Sequence, residues 1–333
     1  MTIRERLSAF ALLLLAAAVA TGAWMVAFTN MSLDLPRTPF EFTVKSGSSL
    51  RTVARTLSDE GLLPEAQTFW ILGRVLGKDA SIQAGTYKLD RPVTPMELLE
   101  KLARGDVSSV DIAFVEGTTF RQWVAQLKKH PKLKQTLAGK SLAEIAAAAG
   151  LAEGSPEGWF FPDTYKFAPG SSDVEILKRA HAAMKKRLAD AWDARHTDLP
   201  LATPYEALIL ASIVEKETGA AVERTLVASV FVNRLRKPMR LQTDPTVIYG
   251  MGEAFDGNIR KKDLTADTPW NTYTRDGLPP TPIAMPGAAS LRAATQPEST
   301  EFLYFVGKGD GTHQFSRTLE EHNRAVVRYQ LKR

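Results

Sequence analysis

Glu215, Lys216 and Glu217 close a long apolar run, Ala207 to Ala211 and Ile213 to Val214. Charged groups are seldom fully buried unless they are paired or open to a cleft, so something polar must meet this end of the run. At about 100° per residue the two glutamates of a helix point roughly 160° apart, Glu215 over Leu208 and Ala211, Glu217 over Leu210, Ile213 and Val214. They cannot share one pocket. A carboxylate at a helix C-terminus faces the negative end of the dipole, and apolar neighbours penalise its charge. Both effects raise its pKa toward the range useful to a general acid. The residue pattern equally allows two ordinary end-of-helix charges, one of them paired with Arg224 or another base.

The element that must position these groups is written out at both ends. Thr203 with Glu206 reads as a capping box, Pro204 suits the first helical position and Gly219 is a natural stop. An apolar surface around nearly the whole circumference predicts a helix buried inside a domain. Around it, helices are expected at 119–129, at 141–149 with Ser141 and Glu144 as another capping box, at 172–195, and at 222–237 with Val222, Leu226, Val230 and Asn233 near one face. A strand is expected over 107–115. Residues 241–250, 270–273 and 277–280 read as polar loops rich in turn formers, amides, hydroxyls and aromatics, which suit polyhydroxylated rings or ordinary capped loops alike. The aromatic run from Glu157 to Tyr165 reads as a core-sealing loop or a stacking platform. A hairpin, 302–306 with 313–315, leads to a helix from Thr318.

Upstream, Phe40–Val44 and Gly85–Leu89 alternate like strands, and 49–57 and 64–76 read as helices, giving the order β-α-α-β. Thr94 and Glu97 cap a further helix that stops at Gly105. The first part of this unit resembles a LysM-like domain, a small module that grips amino-sugar polymers; a plain packing domain is the other reading. Ahead of it, Leu7 to Phe28 runs 22 residues without a charge, enough to cross a bilayer. Arg4 and Arg6 precede that run and the next basic residue is Arg37, which leaves the N-terminus cytoplasmic and the bulk outside. The run exceeds a usual signal-peptide core, which favours an uncleaved anchor. The expected organisation is a tail at 1–6, an anchor at 7–28, a linker at 29–39, the LysM-like domain at 40–106 and a catalytic domain at 107–333. The class is α+β: one transmembrane helix, a small βααβ domain and a larger mixed domain.

Composition narrows the chemistry. With 333 residues and 44% hydrophobic content the chain can bury a sizeable core. Cysteine is absent, which removes thiol catalysis, disulfides and cysteine-ligated metal. The net charge of +5 is spread among 37 acids without a basic run, so nucleic acid is not an expected partner. The five histidines are dispersed with no metal-ligand spacing, and neither metal nor cofactor is expected. No H-E-x-x-H, G-x-S-x-G, S-x-x-K or Walker loop occurs.

Five segments in order, Ala211–Thr218, Ala228–Leu235, Arg240–Gly250, Asn271–Tyr273 and Gly277–Pro280, together with Ala84–Tyr87 and the loop 157–165, closely resemble the endolytic murein transglycosylase (YceG-like) family. The resemblance implies that the second glutamate of the triplet, Glu217, is the catalytic one. It further implies a single-pass inner-membrane lyase, with the bulk periplasmic, that cuts nascent glycan strands internally between N-acetylmuramic acid and N-acetylglucosamine. Such cleavage leaves 1,6-anhydro ends and terminates elongation; peptidoglycan synthases are possible partners. A hydrolase would need a second carboxylate about 5–9.5 Å from the first. Asp244 is the residue for that role, its plainer one being to cap the turn before Pro245. Gln242, Thr243, Asp244, Tyr249, Asn271 and Tyr273 are the expected substrate contacts from their chemistry and loop position. Two other readings stay open: a hydrolytic muramidase using Glu217 with Asp244, and a membrane-tethered glycan-binding scaffold.

Overall fold

The computed structural model describes residues 3–151, 153–217 and 219–331, and in the first helix the side chains of Phe10 and of residues from 12 onward. Met1 and Thr2 of the expected tail, the side chains of Arg4 and Arg6, and Thr218 at the end of the 211–218 motif lie outside the described set. The protein is mixed α+β. Its strands pair as two-stranded sheets, β1 with β2, β3 with β4 and β5 with β6. The chain divides into two compact units, 1–110 with 166–169, and 111–165 with 170–333.

The first unit begins with α1 (Ile3–Asn30), which contains a window, Leu12–Asn30, long and apolar enough to cross a membrane. Then come β1 (Phe40–Val44), α2 (Leu50–Asp59), α3 (Ala66–Val75), β2 (Gly85–Leu89) and α4 (Pro95–Arg104). The strands pair antiparallel with Phe40 opposite Leu89 and Val44 opposite Gly85. Alternation puts Phe40, Phe42 and Val44 inward, onto a core with Leu57, Phe69, Tyr87 and Leu98. The end of α1 joins that core: Phe28 is buried in it, and Leu33 just beyond is buried and bonds Val93. Thr94 and Glu97 form the expected capping box, and Gly105, at φ +67°, ends α4 in the left-handed conformation that glycine alone adopts freely.

The second unit contains β3 (Val110–Ala113, from its second residue), α5 (Phe120–Lys129), α6 (Leu142–Ala148), the start of β4 (Thr164–Phe167), α7 (Asp173–Asp193), α8 (Pro204–Glu217) and α9 (Arg224–Arg236). It continues with α10 (Asp244–Met251), α11 (Lys261–Thr265), α12 (Ala288–Thr295), β5 (Tyr304–Gly307), β6 (His313–Ser316) and α13 (Leu319–Val326), which runs on as a π-turn to Leu331. Helix α8 is the axis of the core: every residue from Ala207 to Val214 is buried, against α12, α9 and α7. Each fully buried Leu, Ile or Val there contributes about 1.5–3 kcal/mol. The hydroxyl of Ser212, wholly buried, donates to Ile209 O at 2.7 Å and accepts from Ile283 N at 3.0 Å.

Several expectations change in the structure. The cap of α8 is only half a capping box: Thr203 accepts from Glu206 N, but the Glu206 carboxylate reaches one residue further back, to Ala202 N at 2.6 Å. The strand expected over 107–115 pairs only over Val110–Ala113. Helix α9 starts at Arg224 after a single 3₁₀ turn; Val222 is exposed, and Val227 to Arg234 are buried on all sides, so the helix is interior rather than amphipathic. The segment 241–250 is not all loop. Asp244 and Pro245 open α10, since proline fixes a helical φ and needs no donor in the first turn. Asp244 therefore lies in the first turn of a helix, where its charge suits the dipole.

Candidate active site

At the end of α8 the two glutamates part as the helical geometry requires. Glu215 turns inward: its side chain is 5% exposed, 3.6 Å from Arg224, and it accepts from Gly287 N, the residue before α12, at 2.9 Å. Lys216 donates to Gly117 O at 3.1 Å. Glu217 faces the other way, into a cleft of about 460 Å³. Glu215 is thus the paired charge and Glu217 the one open to a ligand.

The cleft is bounded by α8, α9, the start of α10, the β5–β6 hairpin and α13. Glu217 has little solvent around its carboxyl, and burial pushes its pKa up to about 7. The Thr243 hydroxyl donates to that carboxyl and draws the pKa down, Asp244 pushes it up, and His313 and Arg234 draw it down by charge. Burial dominates, so Glu217 can hold a proton near neutral pH while keeping donors ready for its carboxylate.

The wall carrying Thr243 is built by a small zipper. Gln242 N donates to Thr272 O at 3.1 Å, Thr243 N donates to the Thr272 hydroxyl at 3.0 Å, and that hydroxyl also meets Thr246 at 2.9 Å. Gln242 adopts φ +46°, a left-handed conformation that side chains rarely take, and this aims the next residue at Glu217. Asp244 accepts from the Tyr273 hydroxyl at 2.6 Å. Burial, together with that bond, raises the pKa of Tyr273, so it remains a protonated donor.

Gln242, Asp244 and Tyr273 line the cleft with Glu217, and Thr243 reaches it by its hydroxyl. Asn271 and Tyr249 are placed elsewhere. The Asn271 amide donates to the carbonyls of Asp263, Leu264 and Ala266 and accepts from Tyr273 N, so its polar atoms serve the loop. Tyr249 donates to Glu157 at 3.2 Å and packs edge-on against Trp270. Glu157 is itself buried, accepts from Phe120 N at the start of α5, and has its pKa pushed up to about 7 by burial.

Arg234, Tyr304, His313 and His322 also line the cleft and were not among the expected substrate contacts. Arg234 is buried, with Nε and Nη1 on the carbonyls of Leu303, Arg240 and Leu241 and its guanidinium over the Tyr304 ring at 5.3 Å. His313 bonds Glu223 at 2.7 Å. Arg234 sits inside a motif that pointed to the family, whereas the histidines gave no local signal because their partners are far away in sequence.

The YceG-like family matches residues 42–328. An endolytic murein transglycosylase of Bacillus subtilis is 30% identical over 88% of this chain and 85% of its own length. One of Streptococcus pneumoniae is 26% identical over 86% of this chain, which spans only 57% of that longer protein. The crystal structure of a yceG-like protein from Listeria monocytogenes, 30% identical, superposes with a TM-score of 0.53 over 86% of this chain and 99% of its own. A family match through nearly the whole chain outside α1, with a relative 30% identical over most of both chains, places this protein in the YceG-like family.

Proposed function

We propose that the protein is a membrane-anchored endolytic murein lytic transglycosylase with Glu217 as its single acid and base. The observation that carries this reading is Glu217 itself, a carboxyl with a pKa of about 7 at the base of an open cleft, in a chain whose curated relatives bear that name. Protonated Glu217 gives its proton to the glycosidic oxygen as the bond to the N-acetylmuramoyl anomeric carbon breaks. The carboxylate left behind then takes the proton of the muramoyl 6-hydroxyl as that oxygen bonds the same carbon. A 1,6-anhydro end forms, no water is consumed, and Glu217 recovers its proton. One carboxyl can serve both steps because the second removes the charge that the first created.

Gln242, Asp244 and Tyr273 would contact the sugar, and Thr243 would hold the carboxylate. In this reading α1 anchors the chain in the inner membrane with the N-terminus cytoplasmic, residues 40–106 act as a LysM-like grip on glycan, and 107–333 are the catalytic part. Cutting within nascent strands would terminate their elongation beside the synthases. A hydrolytic reading rests on one fact, that Asp244 shares the cleft and acts electrostatically on Glu217.

Mass spectrometry of products from un-cross-linked murein glycan tests the proposal, with Glu217→Gln alongside. Internal fragments ending in 1,6-anhydromuramic acid, lost in the variant, are the expected result. Products heavier by one water would replace it with hydrolysis, and glycan binding without cleavage would leave a scaffold.

A further inference from the structure

Glu223 lies in the turn before α9 and is buried, at 8% exposure. A buried carboxylate needs partners, and this one takes bonds along its whole edge from a residue 90 positions away. The backbone N–H of His313 donates to both of its oxygens at 3.1 Å, and the His313 ring meets Oε2 through Nδ1 at 2.7 Å. The ring is also edge-on to Phe305 at 5.4 Å. This arrangement fixes one imidazole: Nδ1 is committed to Glu223, so Nε2 is the edge left for the cleft that His313 lines with Glu217.

Glu217 must pass through a carboxylate in a place where burial opposes charge, and the neighbours that can offset that charge are few. From α9, Arg234 carries a permanent charge tied to backbone carbonyls. From α13, His322 has its pKa lowered by burial and by the Arg234 charge, both of which disfavour its charged form. Asp244 from α10 adds negative charge, and burial with its bond to Asp244 keeps the Tyr273 phenol protonated. His313, on β6, is the other described cleft group whose charge draws the Glu217 pKa down.

We propose, resting on the catalytic reading of Glu217, that His313, fixed by Glu223, is a positioning residue that stabilises the Glu217 carboxylate between the two proton transfers. Nothing covalent passes through the imidazole. The proton leaves Glu217 for the glycosidic oxygen and returns from the 6-hydroxyl; His313 lowers the energy of the ionised interval.

The test uses the full chain in detergent with carbon-13 at the glutamate side-chain carboxyls, the Glu217 resonance being identified by its loss in Glu217→Gln. In His313→Gln the Glu217 midpoint is expected to rise by about half a pH unit or more, since a positive neighbour has gone. Glycan cleavage should fall about tenfold in kcat with KM changed less than about threefold, as for an interaction made after binding. Glu223→Gln, which keeps the ring but removes its anchor's charge, should move both in the same direction by less. A folded His313→Gln protein whose Glu217 midpoint stays put overturns the proposal even if activity falls, because the ring would then serve packing alone. Should that variant not fold, the Glu217 midpoint in Glu223→Gln decides: a rise supports the pairing and no change overturns it. Wild-type protein that cuts no glycan would overturn the catalytic reading instead, and the titration would still judge the pairing.

Discussion

The hydroxyl of Thr243, the residue just before α10, donates to the carboxyl of Glu217, the residue that closes α8. Two helix ends far apart in the chain are thereby joined at the group proposed to carry the reaction. A hydroxyl bonded to a carboxyl favours its ionised form, so Thr243 opposes the effect of burial on Glu217. Thr243→Val keeps the shape and removes the donor. The pKa of Glu217 is expected to rise and the alkaline limb of the pH–rate profile to move upward, with kcat down about tenfold because the carboxylate interval loses a bond. A profile with an unmoved alkaline limb would rule out this role.

Asp244 acts on Glu217 with the opposite sign. Its negative charge raises the Glu217 pKa, so Asp244→Asn is expected to shift the alkaline limb downward while an asparagine oxygen still accepts from Tyr273. The products distinguish a neighbour from a nucleophile. Under the proposed mechanism Asp244→Asn still yields 1,6-anhydro ends at reduced rate near neutral pH; complete loss of cleavage at every pH would make Asp244 a reacting group.

How much of this was legible follows the range of the forces involved. Helix α8 could be read from Pro204 to its charged end because caps and apolar burial are local signals, and the parting of Glu215 and Glu217 follows from helical geometry alone. The strands Phe40–Val44 and Gly85–Leu89 were equally visible from alternation. Helix α10 was hidden because Gln, Thr, Asp, Pro and Gly are turn formers, and only the zipper of Thr243 and Thr246 on Thr272 reveals that the turn begins a helix. Asn271 and Tyr249 have sugar-binding chemistry, yet their polar atoms are used on loop carbonyls and on Glu157. His313 had no sequence signal because its partner, Glu223, arrives through the tertiary fold.

Glu157 makes stability depend on pH. Folding raises its pKa from 4.5 to about 7, chiefly by burial. A raised carboxyl adds stability that is fully present below its unfolded value and is lost as pH climbs through the folded one, because the unfolded chain releases the proton first. The loss between pH 4.5 and 7 amounts to roughly 3 kcal/mol from this residue. Glutamine imitates the protonated acid and can still meet Phe120 N and the Tyr249 hydroxyl. Urea unfolding of Glu157→Gln at pH 5 and pH 8 is therefore expected to show a smaller difference in midpoint than wild type, with the variant ahead at pH 8. An equal difference in both proteins would mean that Glu157 is ionised in the fold.

Ser212 tests the core from which the site is hung. Its side chain sits about two turns into α8, within the buried stretch, where an alanine would leave Ile283 N–H without the oxygen it now meets at 3.0 Å. An orphaned buried donor costs about 1–3 kcal/mol, more than the small gain in helix propensity returns. Thermal unfolding of Ser212→Ala should show a fall in midpoint of several degrees. The segment from Ile283 to Gly287 also receives Glu215, at Gly287, so a shift there would act on the turn that ends in Glu217. Glycan cleavage by the folded variant should therefore drop, with kcat affected more than KM. Unchanged stability would mean that Ile283 N–H finds another acceptor, and lost stability with unchanged kcat would show that the Ile283 anchor supports the core without aiming Glu217.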